Sequence, residues 1–398
     1  MRLPAFAAPT LLTALFFALF AAAPAAAQSC GGPFNAFVAE LRAEAVRRGH
    51  AQASVDAFFR TARQDDRVLR ADRSQGIFRS EFTDFARRLI SQNRMTNGRT
   101  NYERHRAIFD RAQREYGVSP GILLALWAFE TDFGGFQGDF NTLNALVTLS
   151  HDCRRPELFR PQIFAALTLY EQGGFDPATT TGAWAGEIGM VQMLPSDILE
   201  SAVDGDGDGR IDLKRSVPDA LLSGANMLRK YGWRPNEPWM QEIRVPDDLD
   251  WSLTGLRTER TVAEWQRLGI TPREGSLPAG SMRASVLIPQ GRNGPAFMVF
   301  PNFRVLFEWN QAFVYVVTTA YFATRLEGAP VFDPRNPEPG LSPDEMRELQ
   351  RRLNARGYDT GGVTGILGAN TRAAVQDAQR ALGLPADAWP TRALLNRL

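Results

Sequence analysis

The chain has 398 residues, of which 44% are hydrophobic and 22% are charged, and 45 basic residues nearly balance 44 acidic ones. This composition excludes a wholly disordered chain, and the length predicts two or three domains. A net charge of +1 argues against a nucleic-acid partner, and three scattered histidines argue against a histidine-rich metal centre.

The N-terminus predicts export. Arg2 is followed by an apolar run over residues 11–20 and by small residues that end at Ala27. This pattern is typical of a secretory signal peptide, here residues 1–27 with cleavage after Ala27. No later stretch is long and apolar enough for a membrane helix, so we expect a periplasmic protein that does not span the membrane.

The only cysteines are Cys30 and Cys153. An oxidising compartment permits a disulfide, and two cysteines allow only one pairing. We predict that they are bonded; two free thiols are the alternative.

The fold class is predicted to be mainly α with a small inserted sheet. Apolar residues recur at helical spacing from Phe34 to Gln113, and later helices are predicted over 102–116, 121–131, 161–172, 216–231 and 310–325. Short β-rich runs bounded by Pro, Gly and Asn predict strands near 242–245, 284–288, 296–300 and 303–307.

A proline-rich segment, residues 329–340, divides the chain into a larger region over 28–328 and a small helical unit over 341–398. The prolines predict a semi-extended tether, so the two parts need not share a core.

Glu130 is the strongest candidate for chemistry. The residues from 122 to 129 are almost all strongly apolar, which predicts a helix buried on every side. Burial raises the pKa of a carboxyl, and a protonated carboxyl can act as a general acid. The alternative is a glutamate at a helix end that faces solvent.

An aspartate-rich loop with the sequence DGDGDGR begins at Asp204 and resembles an EF-hand loop, although Arg215 replaces the last, bidentate ligand. The candidate calcium ligands are Asp204, Asp206, Asp208, Asp212 and the backbone carbonyl of Arg210. A polar turn without metal is the alternative.

Several motifs occur in a defined order: ETDFG at 130–134, HDCRRPELF at 151–159, GAWAGEIGMVQMLPS at 182–196, the aspartate loop, and EWN at 308–310. Together they resemble the membrane-bound lytic murein transglycosylase B family over residues 34–328. The resemblance implies a lysozyme-like helical domain. It also implies cleavage of the β-1,4 bond between N-acetylmuramic acid and N-acetylglucosamine, with formation of 1,6-anhydromuramyl ends.

In that family the first motif carries the single catalytic acid and base, which maps to Glu130. The substrate-binding residues that the resemblance implies are Arg154, Arg155, Gln192 and Asn310, and Glu187 is a second carboxylate that we expect to support the cleft. The arginines could instead be solvated, and Asn310 could be a helix cap. The family commonly has serine where Ala183 and Ala312 stand. No cofactor is expected for the chemistry, and calcium would be structural.

Residues 341–398 resemble the small three-helix peptidoglycan-binding domain of cell-wall hydrolases through ELQRRLNARGY, TGILGANTRAAVQDAQRALGLP and PTRALLNRL. Thr364 and Ala378 depart from that pattern, so an appended domain without affinity is the alternative. The expected partner is the glycan strand; protein partners stay unknown. Two other functions remain open, a non-catalytic wall-binding scaffold and a cell-wall amidase or peptidase.

Overall fold

The protein is described by a computed structural model that covers residues 30–74 and 80–398. The predicted signal peptide lies outside these ranges. None of the helices in the described ranges combines the length and apolarity needed to cross a bilayer.

The larger part of the chain is mainly helical, as predicted. Its helices are α1 (Phe34–Arg47), α2 (Gln52–Phe59), α3 (Asp66–Arg73), α4 (Phe82–Leu89), α5 (Gln92–Arg104), α6 (Arg106–Tyr116), α7 (Pro120–Thr131), α8 (Thr142–His151), α9 (Pro156–Glu171), α10 (Pro195–Ser201), α11 (Val217–Lys230), α12 (Val262–Arg267), α13 (Pro301–Trp309) and α14 (Phe313–Leu326). The helix predicted over 102–116 is two helices, because His105 leaves the helical conformation with φ −115° and ψ 23°.

The strands are β1 (Phe140–Asn141), β2 (Thr181–Gly182), β3 (Met240–Arg244), β4 (Arg260–Thr261), β5 (Thr271–Pro272), β6 (Arg283–Leu287) and β7 (Phe297–Val299). β1 pairs with β2, and the other five form an antiparallel sheet in the order β4-β6-β7-β3-β5. The inserted sheet is thus confirmed, but the strand predicted over 303–307 is wrong. Pro301 begins helix α13 there, and buried Phe303 and Leu306 share one helical face.

Helix α7 lies in the centre of the largest hydrophobic core. Every residue from Gly121 to Ala128 is buried, as expected for a helix that is apolar all round. Helix α14 packs along it, with the Phe129 and Phe322 rings stacked at a centroid distance of 5.0 Å. This packing brings the end of α7 close to the start of α14.

A second core is built mainly by α1, α2, α8 and α9. The Cys30–Cys153 disulfide fastens the start of the described chain to the segment after α8, which confirms the predicted pairing. The backbone amide of Gly31 also donates to the His151 carbonyl at 2.9 Å.

The C-terminal domain, residues 341–398, contains α15 (Pro343–Ala355), α16 (Ala369–Ala381) and α17 (Arg392–Arg397) around a core of its own. The proline-rich segment before it is not an independent tether. Phe332 is only 9% exposed and packs against the rings of Phe82, Phe297 and Tyr321. One aromatic residue among the prolines therefore ties the segment to the larger core.

The C-terminal domain docks closely on the larger part. Arg257 forms a bidentate ion pair with Asp377, with both N···O distances 2.7 Å. The Trp389 side chain lies against Gly291 and Gly340: a Cβ atom on either glycine would come within 3.0 Å of Trp389. The two parts keep separate cores, but they pack against each other, because these glycines leave room for a large side chain at the interface.

Candidate active site

Glu130 is the penultimate residue of α7. The helix ends abruptly after it, because Asp132 and Phe133 adopt left-handed φ values of 51° and 61°. Such conformations are strained for residues other than glycine and are concentrated at functional sites. Thr131 anchors the helix end: its Oγ1 donates to the Met190 carbonyl at 2.6 Å, which joins α7 to the loop before α10.

Two side chains from distant parts of the chain donate to the same carboxylate oxygen of Glu130. Trp309 Nε1 lies 2.9 Å from Glu130 Oε1, and the Tyr315 hydroxyl lies 2.5 Å from it. Sequence reasoning missed both donors. Trp309 stands inside the EWN motif, which was the available signal; Tyr315 carries the hydroxyl in the otherwise apolar start of α14.

The electrostatic environment of Glu130 and Tyr315 favours proton transfer to and from Glu130. Burial raises the pKa of Glu130, and the hydrogen bonds from Tyr315 and Trp309 act in the opposite direction. Burial and the neighbouring Glu130 charge raise the pKa of Tyr315 well above its usual value, so its hydroxyl stays protonated and remains a donor. Glu130 can therefore carry a proton at rest and keep two donors when it is ionised.

Glu187 lies in the same electrostatic environment. Its pKa is raised to about 7: burial is the largest cause and the negative charge of Glu130 adds to it, whereas backbone hydrogen bonds and the Arg155 charge act in the opposite direction. Its Oε2 is buried and has no hydrogen-bond partner among the described residues. The structure thus brings the charges of Glu130 and Arg155 close enough to Glu187 to act on its pKa.

Arg154 and Arg155 are held by one buried carboxylate that sequence reasoning missed. Arg154 Nη1 lies 2.9 Å from Asp72 Oδ2, and Arg155 Nη2 lies 2.5 Å from Asp72 Oδ1. Asp72 is buried, while the arginine side chains keep 44% and 32% of their surface exposed. The arginines are therefore fixed residues with surface left for a ligand, not freely solvated ones.

Gln192 and Asn310 are both tied to nearby backbone. Gln192 adopts a left-handed φ of 55°, and its Nε2 donates to the Gly189 carbonyl at 2.7 Å. Asn310 Oδ1 accepts the Ala312 amide at 2.9 Å, so it shapes the start of α14, in line with the helix-cap alternative. The Asn310 backbone directly follows Trp309, which places it beside the Glu130 site.

The aspartate loop gathers a different carboxylate set from the predicted one. Oxygens of Asp204, Asp206 and Asp219 all lie within 4.8 Å of one another. All of the loop carboxylates accept backbone amides, those of Asp208 and Asp212 at 2.8 and 3.0 Å, but Asp208 and Asp212 lie outside the group of three. Arg210, whose carbonyl was predicted as a ligand, supplies one of these amides. Three hard oxygen donors suit calcium, and Asp219 was missed because it stands in the first turn of α11.

Comparison with known proteins places the chain in a family. The model of the transglycosylase SLT domain matches residues 33–324, and that of a peptidoglycan binding domain matches residues 342–398. Membrane-bound lytic murein transglycosylase B of Escherichia coli is 28% identical over 236 residues, which are 58% of this chain and 64% of that protein's length.

Solved structures agree with this placement. SltB3 from Pseudomonas aeruginosa, in complex with NAG-anhNAM-pentapeptide, is 35% identical with a TM-score of 0.84, over 92% of this chain and 99% of that chain. The Escherichia coli lytic transglycosylase SLT35 in complex with calcium is 25% identical with a TM-score of 0.64, over 75% and 96% of the two chains. These matches exclude the amidase or peptidase alternative: the chain belongs to the SLT-domain family of lytic transglycosylases, a family of enzymes, and carries a C-terminal peptidoglycan-binding domain.

Proposed function

We propose that the protein cleaves the β-1,4 bond between N-acetylmuramic acid and N-acetylglucosamine in peptidoglycan and leaves a 1,6-anhydromuramyl end. The observation that carries this proposal is the carboxyl of Glu130 at the end of a buried helix, with Trp309 and Tyr315 donating to one of its oxygens.

The reaction would proceed in two proton transfers. Protonated Glu130 donates to the glycosidic oxygen, and the bond from that oxygen to the muramyl C1 breaks. The new carboxylate is stabilised by its two donors. It then accepts the proton of the muramyl C6 hydroxyl as this oxygen attacks C1 and closes the anhydro ring. No water is activated, so one carboxyl suffices where a glycoside hydrolase uses two.

The substrate would lie along the loops around Glu130. The guanidinium groups of Arg154 and Arg155 suit acetamido carbonyls and peptide carboxylates. Gln192, Asn310 and Glu187 would add polar contacts to the sugars. The glycopeptide named for the SltB3 complex supports this substrate class. We further propose that the enzyme works in the periplasm, after removal of its signal peptide.

The test is the Glu130→Gln variant, with Glu308→Gln as the matched control because Glu308 is an exposed carboxylate near the same site. Purified sacculi are digested, and the muramyl ends are identified by mass. We expect anhydromuramyl products from the wild type and the control, and a loss of several orders of magnitude for Glu130→Gln. Retention of more than about a tenth of wild-type turnover would overturn the assignment. An inactive wild type would favour the scaffold alternative.

We also propose that the aspartate loop holds a structural calcium ion through Asp204, Asp206 and Asp219. The calcium complex of SLT35 supports this. Calcium should raise the melting temperature of the wild type and of Asp208→Asn, whose carboxylate lies outside the trio, but not of Asp206→Asn. The same calcium-dependent rise in all three proteins would refute this site.

A further inference from the structure

One arginine of the C-terminal domain reaches into the larger part of the chain. The Arg372 Cζ lies 4.2 Å from the centre of the Phe313 ring, and its Nη2 donates to the Pro289 carbonyl at 2.6 Å. Its Nε is buried and lacks a hydrogen-bond partner in the described part of the chain. Burial lowers the pKa of Arg372 to about 9, so the group is still charged at neutral pH.

Arg372 is partly buried, Asp387 supplies a favourable charge nearby, and its Nε has no partner. Desolvating such a cation is costly, and an apolar residue would serve simple docking better. The planar guanidinium is, however, well suited to lie flat on an aromatic ring and hold it in place. Arg372 faces two rings, with its Cζ 4.2 Å from the centre of Phe313 and 5.8 Å from that of Trp389. The nearer ring, Phe313, indicates what Arg372 is for.

Phe313 is the first residue of α14, and it is only 7% exposed. Two residues later on the same first turn, Tyr315 donates to Glu130. Four residues earlier, Trp309 ends α13 and supplies the second donor. The junction of α13 and α14 thus carries both donors to Glu130, and the C-terminal domain contacts this junction through Arg372.

We propose that Arg372 is a positioning residue of the active site: by stacking on Phe313 it fixes the start of α14, and with it the hydrogen bond from Tyr315 to Glu130. This inference rests on the proposed role of Glu130. The C-terminal domain then supports the catalytic geometry in addition to binding the wall, and turnover of short soluble glycan chains depends on its docking.

The test compares the full-length variants Arg372→Met and Arg351→Met on short soluble muropeptide chains. Arg351 is an exposed control whose ion pair within the described residues is with Glu348 of the C-terminal domain. For Arg372→Met we expect kcat to fall about 10-fold with KM unchanged, because small displacements of a catalytic group slow the chemical step. The melting temperature should be unchanged or higher, because a partly buried cation with an unpartnered Nε is removed.

The pH profile separates positioning from a merely structural role. The titratable neighbours of Glu130 are Tyr315 on α14 and Glu187 in the loop before α10. A weaker bond from Tyr315 raises the pKa of Glu130, so the alkaline limb of kcat/KM should move to higher pH in Arg372→Met. Phe313→Leu should reproduce this shift, and the double variant should add little to it.

Wild-type kcat and pH profile in Arg372→Met would overturn the inference. So would a lower kcat that comes with a lower melting temperature and an unmoved alkaline limb. Measuring Glu130→Gln in the same assay distinguishes the two proposals. If Glu130→Gln stays active, the function assigned to Glu130 is refuted. If Glu130→Gln is inactive while Arg372→Met behaves like the wild type, only the role of Arg372 is refuted.

Discussion

Tyr315→Phe is the sharpest perturbation of the site, because it removes one hydrogen bond to Glu130 and leaves the aromatic packing in place. The bond is 2.5 Å long, is part-buried and joins a phenol to a carboxylate. Hydrogen bonds to charged groups contribute about 1.5–3 kcal/mol. The bond from Tyr315 lowers the pKa of Glu130, so its removal raises that pKa. Because the anion forms during the first proton transfer, kcat should fall about 10- to 100-fold.

The assay is the pH dependence of kcat/KM on a soluble muropeptide chain. Proton donation needs protonated Glu130, so the activity is lost as the pH rises through the pKa of Glu130. A higher pKa therefore moves the alkaline limb to higher pH. The control is Tyr321→Phe on the same helix. The Tyr321 hydroxyl accepts a hydrogen bond from the Phe332 amide at 3.1 Å and not one involving Glu130. An unmoved or lowered alkaline limb in Tyr315→Phe, or wild-type kcat, would refute the role of this bond.

Three further predictions concern stability. The folded-state pKa of Glu187 is about 7, above the usual unfolded value, so ionisation of Glu187 disfavours folding as the pH rises from about 4 to 7. In urea unfolding, the free energy of unfolding of Glu187→Gln should exceed that of the wild type by about 3 kcal/mol at pH 8 and by almost nothing at pH 4. An equal difference at both pH values would contradict this. The Cys30–Cys153 bond closes a loop with a sequence separation of 123, so the double serine variant should lose about 4–5 kcal/mol; labelling of two thiols in the unreduced, denatured wild type would disprove the bond. Phe332→Ala should cost about 3–4 kcal/mol in denaturant unfolding because it empties an aromatic cluster, and a cost under about 1 kcal/mol would show that the segment is only loosely attached.

Local sequence patterns predicted the features that depend on neighbours along the chain. Ser119 and Pro120 predict the start of α7, and the apolar run after them predicts the burial of this helix and the position of Glu130 at its end. The charges of Glu130 and Arg155 both act on the pKa of Glu187, and the substrate-binding roles that the resemblance implied stay predictions.

The parts that could not be predicted are long-range partners. Trp309 and Tyr315 stand 179 and 185 residues after Glu130, and no periodicity relates a helix end to donors so far away. Asp72 carries the arginine pair, yet in sequence it is one more charged residue in a charged helix. The proline-rich segment misled for a related reason. Composition described its backbone, but the ring of Phe332 and backbone bonds such as that from the Asp333 amide to Glu242 hold it against the larger part.

The close fit of Trp389 against Gly291 and Gly340 has a consequence for enzyme engineering. Consider a chimera in which another C-terminal domain is fused after residue 340. That domain would need a tryptophan side chain to fill the space next to these glycines and an arginine to stack on the Phe313 ring. Without the indole, that space would be left empty; with bulkier residues in place of the glycines, the graft would be pushed away from the surface. Donor and recipient parts therefore need to be redesigned as a matched pair, and lengthening the linker cannot substitute for that match.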